Sequence, residues 1–350
     1  MNRAMSHAFS ATTGRVVCFG ELLLRLSAPG RELLLQSPQL AAQFGGAEAN
    51  VAAALAILGH DSAVVSTLPD NAIGRACAGE LRRHGVDTGG IRYQAGGRMG
   101  LYFLSSGALQ RPSDVLYDRA DSAFARALGD AYDWPRLLAG AQWLHLSGIN
   151  PALGEGAAQA ARAAVRAARE AGARISFDCN YRSRLWDERA AQAPQVLGEL
   201  VAEADLLFGN ARDIALILGG EFPQQGAAER FAAATAAAFS AWPKLRWIAA
   251  TERGHASVDR QQLSARLAVG DTVLETATYT LDGIVDRIGV GDAFAAGLLH
   301  GLLRGMEDAA ALEFAIAAAC LKHSIPGDVC LSREADILAF LADGGFEVKR

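Results

Sequence analysis

The chain has only three lysines, Lys244, Lys322 and Lys349, and none of them follows a glycine. A Walker-type nucleotide loop requires a lysine directly after a glycine, so this class of NTPase is excluded. The sequence also has no complete G-x-G-x-x-G after its first predicted strand, no H-E-x-x-H and no G-x-S-x-G. The usual dinucleotide-binding, zinc-protease and α/β-hydrolase patterns are therefore absent.

Five scattered cysteines form no C-x-x-C pair. This argues against a disulfide framework and a structural zinc site, and it favours a reducing compartment. No apolar run is long enough to cross a bilayer, and the N-terminal segment lacks the apolar centre of a secretory signal, so we expect a cytoplasmic protein with no membrane partner. The net charge is −5, with 33 basic and 38 acidic residues. Because the basic clusters are short, no nucleic-acid partner is expected.

Short apolar segments alternate with long helix-forming segments along most of the chain. Residues 157–171 are an almost unbroken run of helix formers, and Gly172 follows where a helix would end in the left-handed conformation. Parallel strands need such crossover connections, so we predict an α/β fold with a doubly wound, mostly parallel sheet. The predicted strands are VVCFG at 16–20, SAVVST at 62–67, WLHLSG at 143–148, RISFD at 174–178, DLLFGN at 205–210 and RWIAAT at 246–251.

Two segments, 21–44 and 91–119, interrupt this alternation. Both contain strand-like runs separated by Gly and Ser turns, which predicts antiparallel strands. Such strands would form a small sheet that projects as a lid or a dimerisation surface; surface hairpins without a function are the alternative. We expect residues 15–350 to form a single domain that includes this lid, after a disordered tail over residues 1–14.

The segment DRIGVGDAFAAG at 286–297 combines a glycine-flanked turn with the start of a helix. Gly289 and Gly291 allow the N–H groups of residues 289, 290 and 291 to converge, and the helix dipole then favours an anion. Asp292 lies within this predicted anion site. A carboxylate there is explained if it accepts a proton from a hydroxyl that attacks phosphorus. The alternative is that Asp292 only caps the helix.

A second segment, FGGAEANVAAALAILG at 44–59, is rich in small residues. Gly45 and Gly46 would allow the backbone to approach a ligand closely. Asn50 can donate and accept hydrogen bonds on the first turn of the following helix. The segment therefore predicts a floor for a polyhydroxylated molecule, and a tight helix entry with an Ala-rich packing face is the alternative.

Together and in this order, the two segments resemble the signatures of the ribokinase-like carbohydrate kinases, also called the minor-phosphofructokinase or PfkB family. The resemblance extends from VVCFGELLLRL through STLPDNAIGRACAGELRRHGVDTGGI to DRIGVGD. It implies a three-layer ribokinase-like fold with a small β-sheet lid, and transfer of the γ-phosphate of ATP, with Mg²⁺, to a primary hydroxyl. It also implies that Asp292 is the general base and that the amides of Gly289, Val290 and Gly291 form the anion hole.

Within the family, the sequence is most similar to 2-keto-3-deoxygluconate kinases. An acid sugar carries a carboxylate, which a guanidinium can bind through two hydrogen bonds, and Arg182 resembles the family's sugar-acid contact. A surface salt bridge is the alternative role for such an arginine. The segments that carry the similarity are GGAEAN at 45–50, LHLSGINPAL at 144–153 and FDCNYRSRLW at 177–186. The further substrate contacts that it implies are Gly45, Gly46, Asn50, Tyr102, Tyr117, Arg119 and Asp328.

For the nucleotide, the resemblance places TERGHA at 251–256 over the phosphates and the region 319–324 against the adenine. We expect no cage of protein ligands for Mg²⁺, because this ion is usually held by substrate phosphates and water. The implied nucleotide contacts are Asn180, Asn210, Thr251, Arg253, Gly254, Ala319, Lys322 and Ser324.

The chain departs from the family pattern at three places. The usual D-T-x-G-A-G-D reads D-R-I-G-V-G-D, so Arg287 replaces a small hydroxyl residue and Val290 replaces alanine. The N-x-x-E motif ends in Asp213, whose side chain is one methylene shorter than glutamate. The basic position of the nucleotide loop is Glu252, for which Arg253 is the candidate substitute.

The resemblance, together with these patterns, predicts an ATP-dependent kinase that phosphorylates the terminal hydroxyl of 2-keto-3-deoxygluconate for a later aldol cleavage. The lid suggests a homodimer by analogy with the family. One alternative is a kinase of the same family for fructose, ribose or a nucleoside. Another is a non-catalytic sugar- or nucleotide-binding regulator, which the altered residues Arg287 and Val290 would motivate. A dehydrogenase would rest on the α/β pattern alone.

Overall fold

The computed structural model describes residues 14–255 and 257–343. The predicted tail over residues 1–14 lies outside these ranges apart from Gly14, which is buried. In chain order the strands are β1 (Arg15–Phe19), β2 (Leu23–Ser27), β3 (Ala41–Gly45), β4 (Asp61–Pro69), β5 (Asp87–Gln94), β6 (Gly100–Ser105), β7 (Asp114–Asp118), β8 (Ala141–Ser147), β9 (Arg174–Asp178), β10 (Leu206–Phe208), β11 (Trp247–His255), β12 (Arg260–Val269), β13 (Thr272–Glu275) and β14 (Tyr279–Asp282).

Helices connect most of these strands. A 3₁₀-helix, Asp187–Gln192, follows the sixth α-helix. The α-helices are α1 (Ala47–Ile57), α2 (Ala72–Arg83), α3 (Trp134–Leu137), α4 (Ile149–Ala152), α5 (Glu155–Glu170), α6 (Ser183–Trp186), α7 (Ala193–Val201), α8 (Ala211–Leu218), α9 (Ala227–Ala241), α10 (Val290–Leu303), α11 (Asp308–Lys322) and α12 (Glu334–Asp343).

The main sheet has the strand order β13-β12-β11-β10-β9-β8-β1-β4-β5, and β14 also pairs with β12. All neighbours from β11 to β5 are parallel. The pairs that β12 makes with β11, β13 and β14 are antiparallel. The predicted doubly wound, mostly parallel sheet is therefore confirmed.

Strand β1 shows how the sheet is buried on both faces. Val17 and Phe19 belong to a core that includes residues of α5 and α7. Val16 and Cys18 belong to a second core that includes residues of α1, α10 and α11. Alternate residues of a strand point to opposite faces, so helices cover both sides of the sheet and form three layers.

Strands β3, β2, β6 and β7 form the separate small sheet, in that order. The pairs β2–β3 and β6–β7 are antiparallel, as expected, but β2 and β6 are parallel. The elements β3, α1, β4, α2 and β5 lie between these two strands, and such a long connection allows the chain to return in the same direction. Residues 91–94 of the predicted lid segment lie in β5, which pairs with β4 in the main sheet.

The carboxyl ends of the parallel strands point to the same edge of the main sheet. Asp178 is the last residue of β9, and Glu21 and Asn210 follow β1 and β10 by two residues. In open α/β sheets this edge is where ligands bind. Strand β11 continues past its predicted end at Thr251 because residues 252–255 pair with β12.

All five cysteines are free and buried. Among the described residues, no helix combines the length and the apolar character that crossing a bilayer would need.

Candidate functional site

The residues 289–291, which we call the anion turn, lead into α10. Gly289 has a φ of 79°. A Cβ at this position would lie 1.8 Å from the backbone oxygen of Asp328, so both conformation and space require glycine. A Cβ at Gly291 would meet nothing within 4 Å, so the turn borders open space. Free N–H groups at the start of a 14-residue helix favour an anion in this space.

Asp292 lies in the first turn of α10 and is half-buried. Its Oδ2 accepts a hydrogen bond from Nδ2 of Asn50, at 2.6 Å. Burial raises the pKa of Asp292 to about 7, whereas the hydrogen bond from Asn50 and the positive charge of Arg182 lower it. A carboxylate with a pKa near neutrality can accept a proton at physiological pH.

A cavity of about 350 Å³ adjoins the anion turn. Asp292 and residues of the small sheet both line it, so the predicted base and the predicted lid face the same space. The predicted site residues that line this cavity are Gly46, Asn50, Tyr102, Tyr117, Arg119, Asn180, Arg182, Arg253, Gly289, Val290, Gly291, Asp292 and Asp328.

A second cavity, of about 290 Å³, contains the predicted nucleotide contacts Asn210 and Thr251. Asn180, Arg182 and Arg253 line both cavities, so the two spaces are adjacent. The backbone of Asn180 has a φ of 37°, which is unusual for a residue other than glycine. Its N–H donates to Oδ1 of Asp178, at 3.0 Å.

Four predicted nucleotide contacts line neither cavity. Gly254 pairs with Gln262 in the β11–β12 ladder. Ala319 is completely buried in the core. Lys322 is also completely buried, and its Nζ donates to the carbonyl oxygen of Ile325, at 2.9 Å. Ser324 is exposed, and its hydroxyl donates to the carbonyl oxygen of Leu321.

The two glycines before α1 have different surroundings. Gly46 lines the 350 Å³ cavity and has a φ of 149°, and a Cβ there would lie 2.3 Å from the backbone oxygen of Glu21. A Cβ at Gly45 would lie 2.0 Å from Oδ2 of Asp328. The close approach at Gly45 is therefore to another part of the chain, whereas the sequence analysis expected an approach to a ligand.

The two lid tyrosines face each other across β6 and β7, with ring centroids 5.9 Å apart. Tyr117 is 47% exposed, whereas Tyr102 is buried and its hydroxyl donates to Oδ2 of Asp328. The other oxygen of Asp328 accepts from Nη1 of Arg25, at 2.8 Å. Both carboxylate oxygens of Asp328 therefore already accept hydrogen bonds from protein groups, and these contacts fix its position in the cavity wall.

Arg119 is buried against Glu21. Its Nε lies 2.8 Å from Oε2 of Glu21, and Ser122 donates to the other carboxylate oxygen. Both charged side chains are nearly completely buried. This partner is far away in sequence, so sequence analysis alone could not identify it.

The guanidinium groups of Arg182 and Arg253 line both cavities, and neither makes a hydrogen bond or ion pair with the described residues. The pKa of Arg253 is lowered by burial and by the positive charges of Arg182 and Arg287. Arg287 donates to the backbone oxygens of Ser257 and Val258, and its buried Nε has no partner within the described ranges. Three positive side chains thus surround the space in front of the anion turn.

Two acidic residues that line the 350 Å³ cavity, Glu48 and Asp178, were not predicted from the sequence as functional candidates. Glu48 is buried, accepts a hydrogen bond from Ser147 at 2.6 Å, and has its pKa raised to about 7 by burial. Burial and the charges of Asp292 and Asp213 raise the pKa of Asp178 to about 8. The single acid within GGAEAN and the acid that ends the strand RISFD were the available signals.

The acidic residues near Asn210 fit a divalent cation. Asp213 forms a capping box with Asn210, in which Oδ2 of Asp213 accepts from the backbone N–H. Burial raises the pKa of Asp213, and its charge also acts on Asp178, so a nearby cation would stabilise both carboxylates. Within the described ranges, no three acidic, histidine or cysteine side chains form a metal-binding group.

A carboxyl group with a raised pKa beside a helix N-terminus, under a small sheet, fits a phosphoryl-transfer site of the carbohydrate kinase class. The comparison with known families agrees. Residues 13–330 match the family described as pfkB family carbohydrate kinase. The chain belongs to this family and is a carbohydrate kinase.

Several related proteins match almost the whole chain. A 2-dehydro-3-deoxygalactonokinase of Haloferax volcanii is 33% identical over 340 residues, which are 97% of this chain and 100% of that protein. A 2-dehydro-3-deoxygluconokinase of Bacillus subtilis is 29% identical over 89% of this chain and 90% of that protein. The crystal structure of 2-dehydro-3-deoxygluconokinase from Thermotoga maritima has a TM-score of 0.89 and 38% identity, and the match covers 93% of this chain and 99% of that one.

Proposed function

We propose that this carbohydrate kinase transfers the γ-phosphate of ATP to the terminal hydroxyl of 2-keto-3-deoxygluconate, also called 2-dehydro-3-deoxygluconate. The observation that carries the proposal is that the unpaired guanidinium of Arg182 and the carboxylate of Asp292 line one cavity. The names of the relatives from Bacillus subtilis and Thermotoga maritima support this substrate.

In the proposed reaction, the substrate hydroxyl oxygen attacks the γ-phosphorus of ATP. Asp292 accepts the hydroxyl proton, a new O–P bond forms, and the bond between the γ-phosphorus and the β-phosphate oxygen breaks. The products are the phosphorylated sugar and ADP. The N–H groups of the anion turn stabilise the charge of the transferring phosphoryl group.

We propose that Arg182 binds the substrate carboxylate through two hydrogen bonds. Asn50 contributes a second contact, since its buried Oδ1 has no partner in the described part of the chain and can accept from a substrate hydroxyl. Gly46 and Tyr117 complete the sugar side of the cavity. We propose that Arg119 stabilises the buried Glu21 and does not bind the sugar, because its guanidinium already donates to the carboxylate of Glu21.

On the nucleotide side, we propose that Asn180, Asn210, Thr251 and Arg253 lie near the phosphates of ATP. Mg²⁺ would be held near Asp178 and Asp213 through phosphate oxygens and water, and it would neutralise phosphate charge. Of the remaining predicted contacts, Gly254 would approach the nucleotide through its backbone. Ala319, Lys322 and Ser324 would lie on the adenine side, as the resemblance to the family implies, although none of them lines either cavity.

We also propose that the small sheet forms a homodimer interface. The face of this sheet opposite Arg25 and Tyr102 is mostly apolar apart from Asp114 and Asp118 on β7, and Leu116 on it is 57% exposed. A second copy of the chain would bury this face. Light scattering during size-exclusion chromatography should give a dimer for the wild type and for Leu128→Asp, and a monomer for Leu116→Asp. The apolar residues of this face are Leu24, Leu26, Ala42, Phe44, Leu101, Phe103 and Leu116.

The direct test of the substrate is ADP release with ATP and Mg²⁺ across sugars with and without a carboxylate. We expect turnover with 2-keto-3-deoxygluconate and a much lower kcat/KM with fructose and ribose. A preference for a neutral sugar would refute the assignment of Arg182 and leave the kinase class intact. The 2-keto-3-deoxygalactonate epimer belongs in the panel, because the relative from Haloferax volcanii is named for that sugar.

A further inference from the structure

Arg25 lies in the middle of β2 and is only 4% exposed. Its guanidinium makes two ion pairs, with Asp286 at 2.7 Å and with Asp328 at 2.8 Å. Its Nε also donates to the hydroxyl of Ser27, at 2.6 Å. One side chain of the small sheet is thus bound to two carboxylates of the main body.

These two carboxylates belong to the segments that shape the anion turn. Oδ1 of Asp286 accepts from the N–H of Ile288, at 2.9 Å, directly before the turn. Oδ2 of Asp286 accepts from the N–H of Gly327 in the neighbouring loop. In that loop, the backbone oxygen of Asp328 lies against Gly289. Arg25 therefore contacts both segments that fix the position of the turn.

The small sheet contacts Asp328 at two further points. The hydroxyl of Tyr102 on β6 donates to its carboxylate, and Gly45 at the end of β3 packs against the same oxygen. Arg25 is the contact that joins Asp328 to Asp286. It does not itself line the cavity shared by Arg182 and Asp292.

We infer that Arg25 is a positioning residue that holds the anion turn at a fixed position relative to the small sheet. This inference rests on the proposed function, because it assigns Arg25 to the same phosphoryl transfer. The sheet covers the acceptor sugar and the turn binds the transferring phosphoryl group. Arg25 therefore sets the distance between acceptor and phosphorus, and even small misplacements of reacting groups are costly.

A guanidinium is required for this role. It can donate to two carboxylates at fixed angles, whereas a lysine ammonium is a point charge on a flexible stem. Arg25→Lys should therefore keep a compensating positive charge but lose the fixed geometry. Arg25→Met should remove both the positive charge and the fixed geometry, and it should leave the buried carboxylates of Asp286 and Asp328 without their ionic partner.

Arg15 provides a matched control. It also bridges two carboxylates, Asp61 at 3.0 Å and Asp87 at 2.7 Å, but it lies at the start of β1 and lines neither cavity. Arg15→Met should leave kcat and the KM for the sugar within about twofold of the wild type. For Arg25→Lys we expect kcat to fall by about tenfold to a hundredfold, with the KM for the acid sugar changed by less than about threefold.

The test measures kcat, KM, the thermal unfolding midpoint and amide hydrogen exchange in residues 284–292. The inference predicts that Arg25→Lys recovers most of the midpoint lost in Arg25→Met but little of its lost kcat. It also predicts faster exchange in 284–292 for Arg25→Lys and unchanged exchange for Arg15→Met. A kcat for Arg25→Lys equal to that of the wild type would overturn the inference, because charge compensation alone would then be sufficient.

Hydrogen exchange also separates this inference from the proposed function. If the wild type phosphorylates only a neutral sugar, the proposed substrate is wrong, and the kcat comparison is made with that sugar. If the wild type phosphorylates no sugar, faster exchange of 284–292 in Arg25→Lys still supports the positioning role. Unchanged exchange in that variant would overturn it.

Discussion

Asn50 donates a hydrogen bond to the carboxylate of Asp292, with 2.6 Å between Nδ2 and Oδ2, although the two residues are 242 positions apart. The contact joins the first turns of α1 and α10. It stabilises the ionised form of Asp292, which is the form that accepts a proton. The floor of the sugar cavity and the proposed base are therefore directly connected.

The pH dependence of kcat/KM should follow the ionisation of Asp292. Burial raises the pKa of this carboxyl to about 7. Only the ionised form can act as a base, so kcat/KM should fall about tenfold per pH unit below about pH 7 and level off above it. Glu48→Gln serves as the control, because Glu48 also has a pKa raised to about 7. Loss of the acidic limb in that variant would assign the limb to Glu48.

Replacing Asn50 with alanine should move the acidic limb to higher pH. The variant lacks the hydrogen bond that lowers the pKa of Asp292. At pH 7 we expect a loss of about tenfold in kcat/KM, part of which is regained at higher pH. An equal loss at every pH, measured over the same range, would show that Asn50 contributes only to substrate binding.

Arg182→Met should weaken selection for the acid sugar. Loss of a charge-assisted bidentate contact should raise the KM for 2-keto-3-deoxygluconate by about tenfold to a hundredfold. At a pH well above 7, where Asp292 is ionised with or without the charge of Arg182, the kcat/KM for any neutral sugar that reacts should change by less than about threefold. Arg184→Met is the control, because Arg184 lies two residues further along in α6, is exposed and lines neither cavity. Equal losses on acid and neutral sugars would contradict the assignment.

Arg119→Met should destabilise the fold. It leaves Glu21 buried without its ionic partner, which costs about 3–5 kcal/mol of unfolding free energy. Arg126→Met removes an exposed ion pair with Asp121 and should cost less than about 1 kcal/mol. Urea unfolding measures both values. A loss for Arg119→Met as small as that for Arg126→Met would show that Glu21 does not need this partner.

Local sequence patterns predicted the fold and the glycine turn before α10 correctly. Apolar strands alternating with helix formers determine a parallel sheet through short-range rules. The glycines at 289 and 291 likewise indicate a tight turn, because glycine adopts backbone conformations that other residues avoid. The strands of the small sheet were also predicted from the sequence. The parallel pairing of β2 with β6 was not, because it depends on where the chain returns to the small sheet after five intervening elements.

The partners of the charged side chains could not be predicted in the same way. Glu21 binds Arg119, and both Arg25 and Tyr102 bind Asp328. The partners in these pairs are 98 to 303 residues apart in the sequence. Such pairs form only when the tertiary structure brings them together. Helix pattern alone likewise gave no reason to expect Lys322 to be completely buried.

The central claim is that Asp292 removes the proton from the attacking hydroxyl. The measurement that tests it most directly is kcat for ADP formation by Asp292→Asn with ATP, Mg²⁺ and 2-keto-3-deoxygluconate, together with the dissociation constant for ATP. We predict a loss of about 10²–10⁴-fold in kcat with ATP binding within about threefold of the wild type. A variant that retains kcat within about threefold of the wild type would contradict the account.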